Sequence, residues 1–287
     1  MTLLRRSGLV ALSSCFALAS FLASPAIAQV VDIDQAAALA GGVTPGDTPG
    51  FPVTLSESGA YRLTSNLDLN GVAGVTADTS AIEVTRHNVT IHMDGFEITG
   101  IVLCSGHPKT CSPATASSAG VDSSQSNVAV FGGTIHRMGS GVSLGNNATV
   151  RNVRAISNTD HGIIADGHGA LVAHCLADAN GTGIELVGSG GQIVGNVVIK
   201  NGNGIVAADY SVISGNSVFE SAGMGVFTGD GSVATGNVVA ARAAPGSLPA
   251  RAPWSAGIPP RRTMPASMRV MPVSSKTTSC ITIPRRA

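Results

Sequence analysis

The sequence predicts an all-β solenoid, a parallel β-helix with one short coil per repeat, and two observations carry that expectation. Glycine recurs at Gly120, Gly141, Gly162, Gly183, Gly204 and Gly225, each twenty-one positions after the last and each followed by Val or Ile. A register held this long marks one supersecondary unit per repeat. Within the repeats the apolar residues alternate, as in Gly-Val-Ser-Leu at 141–144 and Gly-Ile-Glu-Leu at 183–186. Alternation has the period of a strand and excludes the helical units of TPR and ankyrin arrays. The spacing of leucines and the asparagine of a leucine-rich repeat are also missing.

Taken in order, residues 1–28 read as a signal peptide. Arg5 and Arg6 open it, no charge occurs from Ser7 to Val31, and Ala26-Ile27-Ala28 is a cleavage site of the A-x-A type. No second apolar run is long enough to cross a membrane. The expected location is periplasmic or secreted. Residues 29–50 form an N-terminal segment that caps the solenoid, and residues 51–240 form the solenoid itself. Fourteen positions after each glycine comes a second, mostly apolar column of Thr134, Ala155, Leu176, Val197, Val218 and Val239, read as a second inward row. Asn196, Asn216 and Asn237 follow glycines in turns and are expected to stack coil on coil. His174 is read as standing in that asparagine column, with Cys175 as a small buried filler. Cys104 and Cys111 bracket a short loop, inserted between Gly100 and Gly120, that also holds His107. In an oxidising compartment a disulfide closes that loop; a metal clip using His107 is the alternative.

Composition changes at residue 241. The stretch 241–287 carries eight of the 14 prolines and eight of the 17 basic residues, with no Asp or Glu. It reads as a disordered Pro/Arg-rich tail, or as the product of a shifted reading frame, and as no part of the solenoid. All 17 acidic residues lie between Asp32 and Asp230, against seven Lys or Arg, so that stretch, the N-terminal segment and the solenoid together, carries a net charge of −10. That argues against a nucleic-acid partner.

The runs Gly195-Asn-Val-Val-Ile199 and Asn201-Gly-Asn-Gly-Ile205 resemble the generic coil of the right-handed parallel β-helix repeat proteins, the pectate-lyase-like superfamily in its broad sense. Phe51–Leu63 and Asn88–Phe96 resemble the way its exported bacterial members begin. The resemblance covers 51–240 and implies the right-handed form of the helix. It implies no single activity, because the family holds lyases, hydrolases, epimerases and proteins without known activity.

Chemistry-bearing residues concentrate in Ser157–Gly169. Asn-Thr-Asp and Gly-His-Gly in that stretch are similar to two motifs of the polygalacturonase-type hydrolases. Here both fall in one coil, and the Asp-Asp and Arg-Ile-Lys that complete the family's pattern are missing, so no role is carried over. From the coil register itself, Asp160, His161, Asp178 and Glu185 form the candidate catalytic constellation. Asp178 is placed in a column sixteen positions after the glycine, with His136, Ser157 and Glu220. A second group, Asp166, His168, Asp209 and Asp230, follows the first strand and is a candidate site for a cation such as Ca²⁺. Aromatics are 3% of the chain, and its single Trp, Trp254, lies in the tail. No aromatic platform and no basic ladder for uronates are visible in the repeats. The expected function is therefore binding of extracellular or cell-envelope polysaccharide. The alternatives are a lyase or hydrolase acting on an acidic glycan, and a surface or adhesive structural protein. Oligomeric state is not written in the sequence.

Overall fold

The computed structural model describes residues 30–106 and 109–240. The expected signal peptide at 1–28, the expected tail at 241–287 and His107 lie outside the described residues. The described chain is a parallel β-helix. Its three long sheets hold eight, nine and eight strands, and the pairing between coils is parallel throughout. Each coil gives one strand to each sheet in turn: Ser140–Leu144 to sheet 1, Thr149–Arg151 to sheet 2 and Arg154–Ile156 to sheet 3, after which His161–Ala165 returns to sheet 1. Inward residues such as Val142, Val150, Ala155, Ile163, Ile184 and Ile193 are fully buried and form one continuous core. Burial of that apolar surface, at about 25 cal/mol per Å², is the main stabilising contribution.

The glycine column stands at the corner where the chain passes from sheet 3 into sheet 1. None of the six has a positive φ, so conformational freedom is not the reason for glycine. Space is the reason. A Cβ on Gly183 would lie 2.5 Å from Val198 Cγ1 and 2.8 Å from the carbonyl of Gly204, and one on Gly225 would lie 2.6 Å from Val239 Cγ1. The corner is tight enough that only a hydrogen fits between one coil's core residue and the next coil's backbone.

The constant period of the glycines holds along sheet 1 but not along the other two. Val142, Ile163, Ile184, Ile205 and Val226 pair at a constant offset of twenty-one. In sheet 2 Thr149 pairs with Leu171, one position more than that offset, and Gln192 with Val212, one position less. In sheet 3 Arg154 pairs with Leu176 and Val197 with Ser217, with the same two departures. The turn from sheet 1 to sheet 2 gains or loses one residue, and the turn from sheet 3 back to sheet 1 compensates. This corrects the expected second inward row. The buried positions are Ile135, Ala155, Ala177, Val198 and Val218, whereas Thr134 and Leu176 are half-buried and Val197 is 43% exposed. A fixed offset of fourteen slips by one residue wherever the turn changes length, and a slip of one reverses the face.

Two asparagine ladders run through the turns. Between sheets 2 and 3, Asn196 N–H donates to Asn216 Oδ1 and Asn216 N–H to Asn237 Oδ1, each at 2.9 Å. Cys175, not His174, occupies this column, since Cys175 N–H donates to Asn196 Oδ1 at 2.8 Å. His174 takes the left-handed position before it (φ 55°), level with Gly195, Gly215 and Gly236. The second ladder lies between sheets 3 and 1. Asn158 N–H donates to Asn180 Oδ1, and Asn180 N–H to Asn201 Oδ1. All three side chains are fully buried. Each stacked amide satisfies backbone groups of a turn that has no strand partner, which is where an unpaired buried donor is most costly.

At the N-terminal end Val31–Ile33 adds a strand to sheet 2 beside Gly59–Leu63, and a short helix, Gln35–Ala40, follows it with Ala38 buried. The insertion before Gly120 is a small antiparallel hairpin of Leu103–Ser105 and Thr110–Ser112. Cys104 and Cys111 face each other across it and are joined by a disulfide.

Candidate functional site

His161 opens the sheet 1 strand His161–Ala165, just after the turn anchored by Asn158. The neighbouring Gly162 faces the interior, and Ile163 and Ala165 are buried. The imidazole therefore stands on the outer face, with its side chain only 15% exposed. Asp160 supplies one partner, Oδ2 at 3.1 Å from Nδ1. Glu185, the second residue after its glycine and so also outward, supplies the other from the next coil, Oε2 at 2.8 Å from Nε2. A ring with a carboxylate at each nitrogen is best satisfied as the cation that donates from both. Burial works against that charge, but the hydrogen bond with Glu185 and the charges of Asp160, Glu185 and Asp166 outweigh it. The His161 pKa is raised above the ordinary histidine value.

The disulfide hairpin brings in a residue that the sequence analysis did not single out. Lys109 Nζ donates to the carbonyls of Asn158 and of Thr159, the latter at 2.9 Å, immediately before Asp160. Burial lowers the Lys109 pKa to about 8, partly offset by the charge of Asp160. The signal available was a lysine inside a Cys-bracketed loop. Nothing in the spacing says where that loop lands.

Asp178 does not join this group. No hydrogen bond or ion pair links it to His161, and its Oδ1 is sealed from solvent without a hydrogen-bond partner among the described residues. It stands on the outer face of sheet 3 in a column that runs His136, Ile156, Asp178, Ile199, Phe219. Ser157 and Glu220, expected in that column, lie one residue further on, at left-handed turn positions with φ of 56° and 53°. The cause is again the shifting turn length. Of the four candidate catalytic residues the structure brings together Asp160, His161 and Glu185.

The candidate cation ligands do not converge. Among the described residues no three His, Cys, Asp or Glu side chains come together as a metal-holding group. His168 Nδ1 instead accepts from Ser189 N–H at 3.1 Å, and Asp209 Oδ1 accepts from Asp230 N–H at 2.7 Å. Asp166 belongs to the electrostatic surroundings of His161 and of Asp122. Asp122 stands in the same outward column as Glu185, with Glu83 and Ser143 beside it. Burial raises its pKa against the opposing hydrogen bond from Ser143. The outer face of sheet 1 is thus rich in hydrogen-bond acceptors and carries excess negative charge.

Stacked coils, three continuous parallel sheets and paired asparagine ladders define a solenoid of the parallel β-helix class, with its polar group on an open sheet face. The chain belongs to the right-handed beta helix family, whose model, described as a right handed beta helix region, matches residues 65–241. No curated protein and no solved structure was found to match the chain. No helix among the described residues is long and apolar enough to cross a membrane.

Proposed function

We propose that this protein is an exported β-helix that binds extracellular or cell-envelope polysaccharide along the outer face of sheet 1, without cleaving it. The observation that carries this reading is the clamping of His161 between Asp160 and Glu185. A general base needs a free lone pair, and a doubly donating imidazolium has none. What the face offers instead is a row of acceptors on four successive coils about 4.8 Å apart, Thr54, Glu83, Asp122 and Ser143, with Ile164 between that row and Glu185, suited to the hydroxyls of an extended chain. The negative charge of Asp160, Glu185, Asp122 and Glu83 favours a neutral, hydroxyl-rich glycan there over an acidic one.

A polysaccharide lyase or hydrolase is the second reading. One observation favours it: a lysine with a pKa of about 8, whose neutral form is accessible in mildly alkaline solution, lies beside Asp160. The two separate in one experiment on the purified chain, in which neutral and acidic polysaccharides are screened for binding, unsaturated products and reducing ends. The expected result is binding without turnover, weakened about tenfold or more by His161→Ala. Turnover that disappears in His161→Ala or Lys109→Met would establish the enzyme, and binding to no glycan would leave a structural role.

A further inference from the structure

The turns from sheet 3 to sheet 1 bond to one another through backbone, with one exception. After the left-handed residues Arg137, Ala179 and Lys200, the first two carbonyls of the turn accept from N–H groups of the next coil. Those of Met138 and Gly139 accept from Thr159 and Asp160, at 2.9 and 2.8 Å. Those of Asn180 and Gly181 accept from Gly202 and Asn203, at 3.0 and 2.8 Å, and those of Asn201 and Gly202 from Ala222 and Gly223, at 2.9 and 2.6 Å. The carbonyls of Asn158 and Thr159 hold the same two places after Ser157, yet among the described residues no backbone N–H donates to either. Turn length is the cause. Asn158 stands five positions before the inward Ile163, whereas Asn180 and Asn201 stand four before Ile184 and Ile205. The shorter turn of the next coil therefore bonds further along, with Thr182 N–H donating to the Asp160 carbonyl at 2.8 Å. Lys109 Nζ takes up both carbonyls left over, donating to Asn158 and to Thr159, the latter at 2.9 Å. Both ends of its insertion are pinned to the coil just before. Val102 N–H donates to the Arg137 carbonyl at 2.9 Å, Arg137 Nε to the Val102 carbonyl at 3.2 Å, and Ser140 N–H to the Ser118 carbonyl at 2.7 Å.

We infer that Lys109 is the positioning residue of the His161 group: its ammonium replaces two backbone donors that the longer turn lacks and so holds Asp160 and His161 in place against Glu185, a role in ligand binding that rests on the sheet 1 reading. Two adjacent carbonyls without donors in a half-buried turn are costly, and the turn would otherwise relax to find donors elsewhere. Asp160 follows those carbonyls directly, and His161 follows Asp160, so any such relaxation moves both. An ammonium suits the place because it carries three donors and no acceptor, and its N–H groups rotate to meet two carbonyls in tandem. The charged groups around the imidazole are Asp160, Glu185 and Asp166, with Lys109 beside Asp160. Lys109 acts on the ring in two ways of opposite sign. As a nearby cation it disfavours the imidazolium. As the holder of the turn it favours the imidazolium, by keeping Asp160 Oδ2 at 3.1 Å from Nδ1. The sign of its net effect therefore tells position from charge.

The test is an NMR titration of the His161 ring in the full chain, with the disulfide intact, for the unaltered protein, Lys109→Met, Lys109→Arg and Asp160→Asn. Retardation of the same samples in gels containing pullulan, a neutral glycan, reports binding. Lys109→Met is expected to lower the His161 pKa, in the direction set by Asp160→Asn, although it removes a cation. It is also expected to speed amide exchange at 158–161 about tenfold or more and to weaken pullulan binding about fivefold. Lys109→Arg, which keeps the charge and can donate to both carbonyls, should restore the ring pKa at least in part. A His161 pKa that rises in Lys109→Met would show a charge acting through space alone, and one that stays put would show a hairpin that only rests on the turn. Either result overturns the inference. If Lys109→Met fails to fold, the unaltered chain with Cys104–Cys111 reduced by a dithiol takes its place, with the same fall in ring pKa expected. Absence of pullulan binding by the unaltered chain would overturn the sheet 1 reading and the part of Lys109 in binding, while the ring titration still decides the positioning.

Discussion

His161 shows how two adjacent coils make a site that neither contains. Its partners are the residue before it and a residue on the next coil, and both ring nitrogens are engaged. The raised pKa has a consequence of fixed sign. A histidine whose folded pKa lies above its unfolded value contributes stability that is fully present below the unfolded value of about 6.5 and is lost as pH rises through the folded one. An NMR titration of the His161 ring is expected to give a pKa above the ordinary histidine value, and Glu185→Gln is expected to lower it. A midpoint that is insensitive to Glu185→Gln would mean that the ion pair does not form in solution. The glycines make the complementary point. Gly183 is required because a side chain has nowhere to go, and that requirement repeats wherever the corner repeats.

Among the elements, the hairpin of Leu103–Ser105 and Thr110–Ser112 is the one that departs from the repeat. It pairs only with itself, and it touches the His161 region through Lys109. Closing so short a loop with the Cys104–Cys111 disulfide restricts the open chain by about 2–3 kcal/mol in the chain-entropy model. Because the hairpin lies outside the stacked coils, that restriction acts on the hairpin's own order. Reduction is therefore expected to make residues 101–118 the first site of proteolytic cleavage, read by mass spectrometry, while the thermal midpoint of the solenoid moves by less than about 3 °C. A large fall in the midpoint would show that the disulfide supports the core as well. The turns between sheets behave differently. They vary by one residue in length, yet the buried Asn158–Asn180–Asn201 ladder stays intact because its amides bond from coil to coil, not at a fixed spacing in sequence.

On the scale of the whole molecule, each coil contacts only its neighbours, so local stability depends on having neighbours on both sides. Ile184 and Val198, in mid-solenoid, are fully buried, whereas Val233 and Val238 in the last described coil are each 56% exposed. No described strand pairs on the far side of that coil. Backbone amides of 226–240 are expected to exchange with deuterium at least about 100-fold faster than those of 182–199 under native conditions. Equal protection would mean that the edge is covered in solution.

The repeat was legible because glycine at the sheet 3–sheet 1 corner is a steric necessity, so its column keeps a constant period and announces the fold. The asparagines at 196, 216 and 237 were legible for a similar reason: a polar residue in a fixed turn has one geometry that works. The sequence by itself therefore determined a solenoid of short parallel strands, an inward column after each glycine and a disulfide-sized pair of cysteines. Only the tertiary structure decided what depends on turn length and insertion. The true second inward row follows from one-residue changes in turns, which reverse faces without changing the overall period. Asp178 is separated from His161 because one stands on sheet 3 and the other on sheet 1, and Cys175 is the ladder residue by its hydrogen bond to Asn196, at the regular interval of twenty-one. Lys109 reaches the His161 group from an inserted hairpin whose place no repeat spacing sets. In sheet 2, Arg62, His92, Phe131 and Arg151 form one column across unequal intervals of sequence, because long early coils precede the regular ones. A column assembled from unequal coils has no period to read, and it exists only once the coils are stacked.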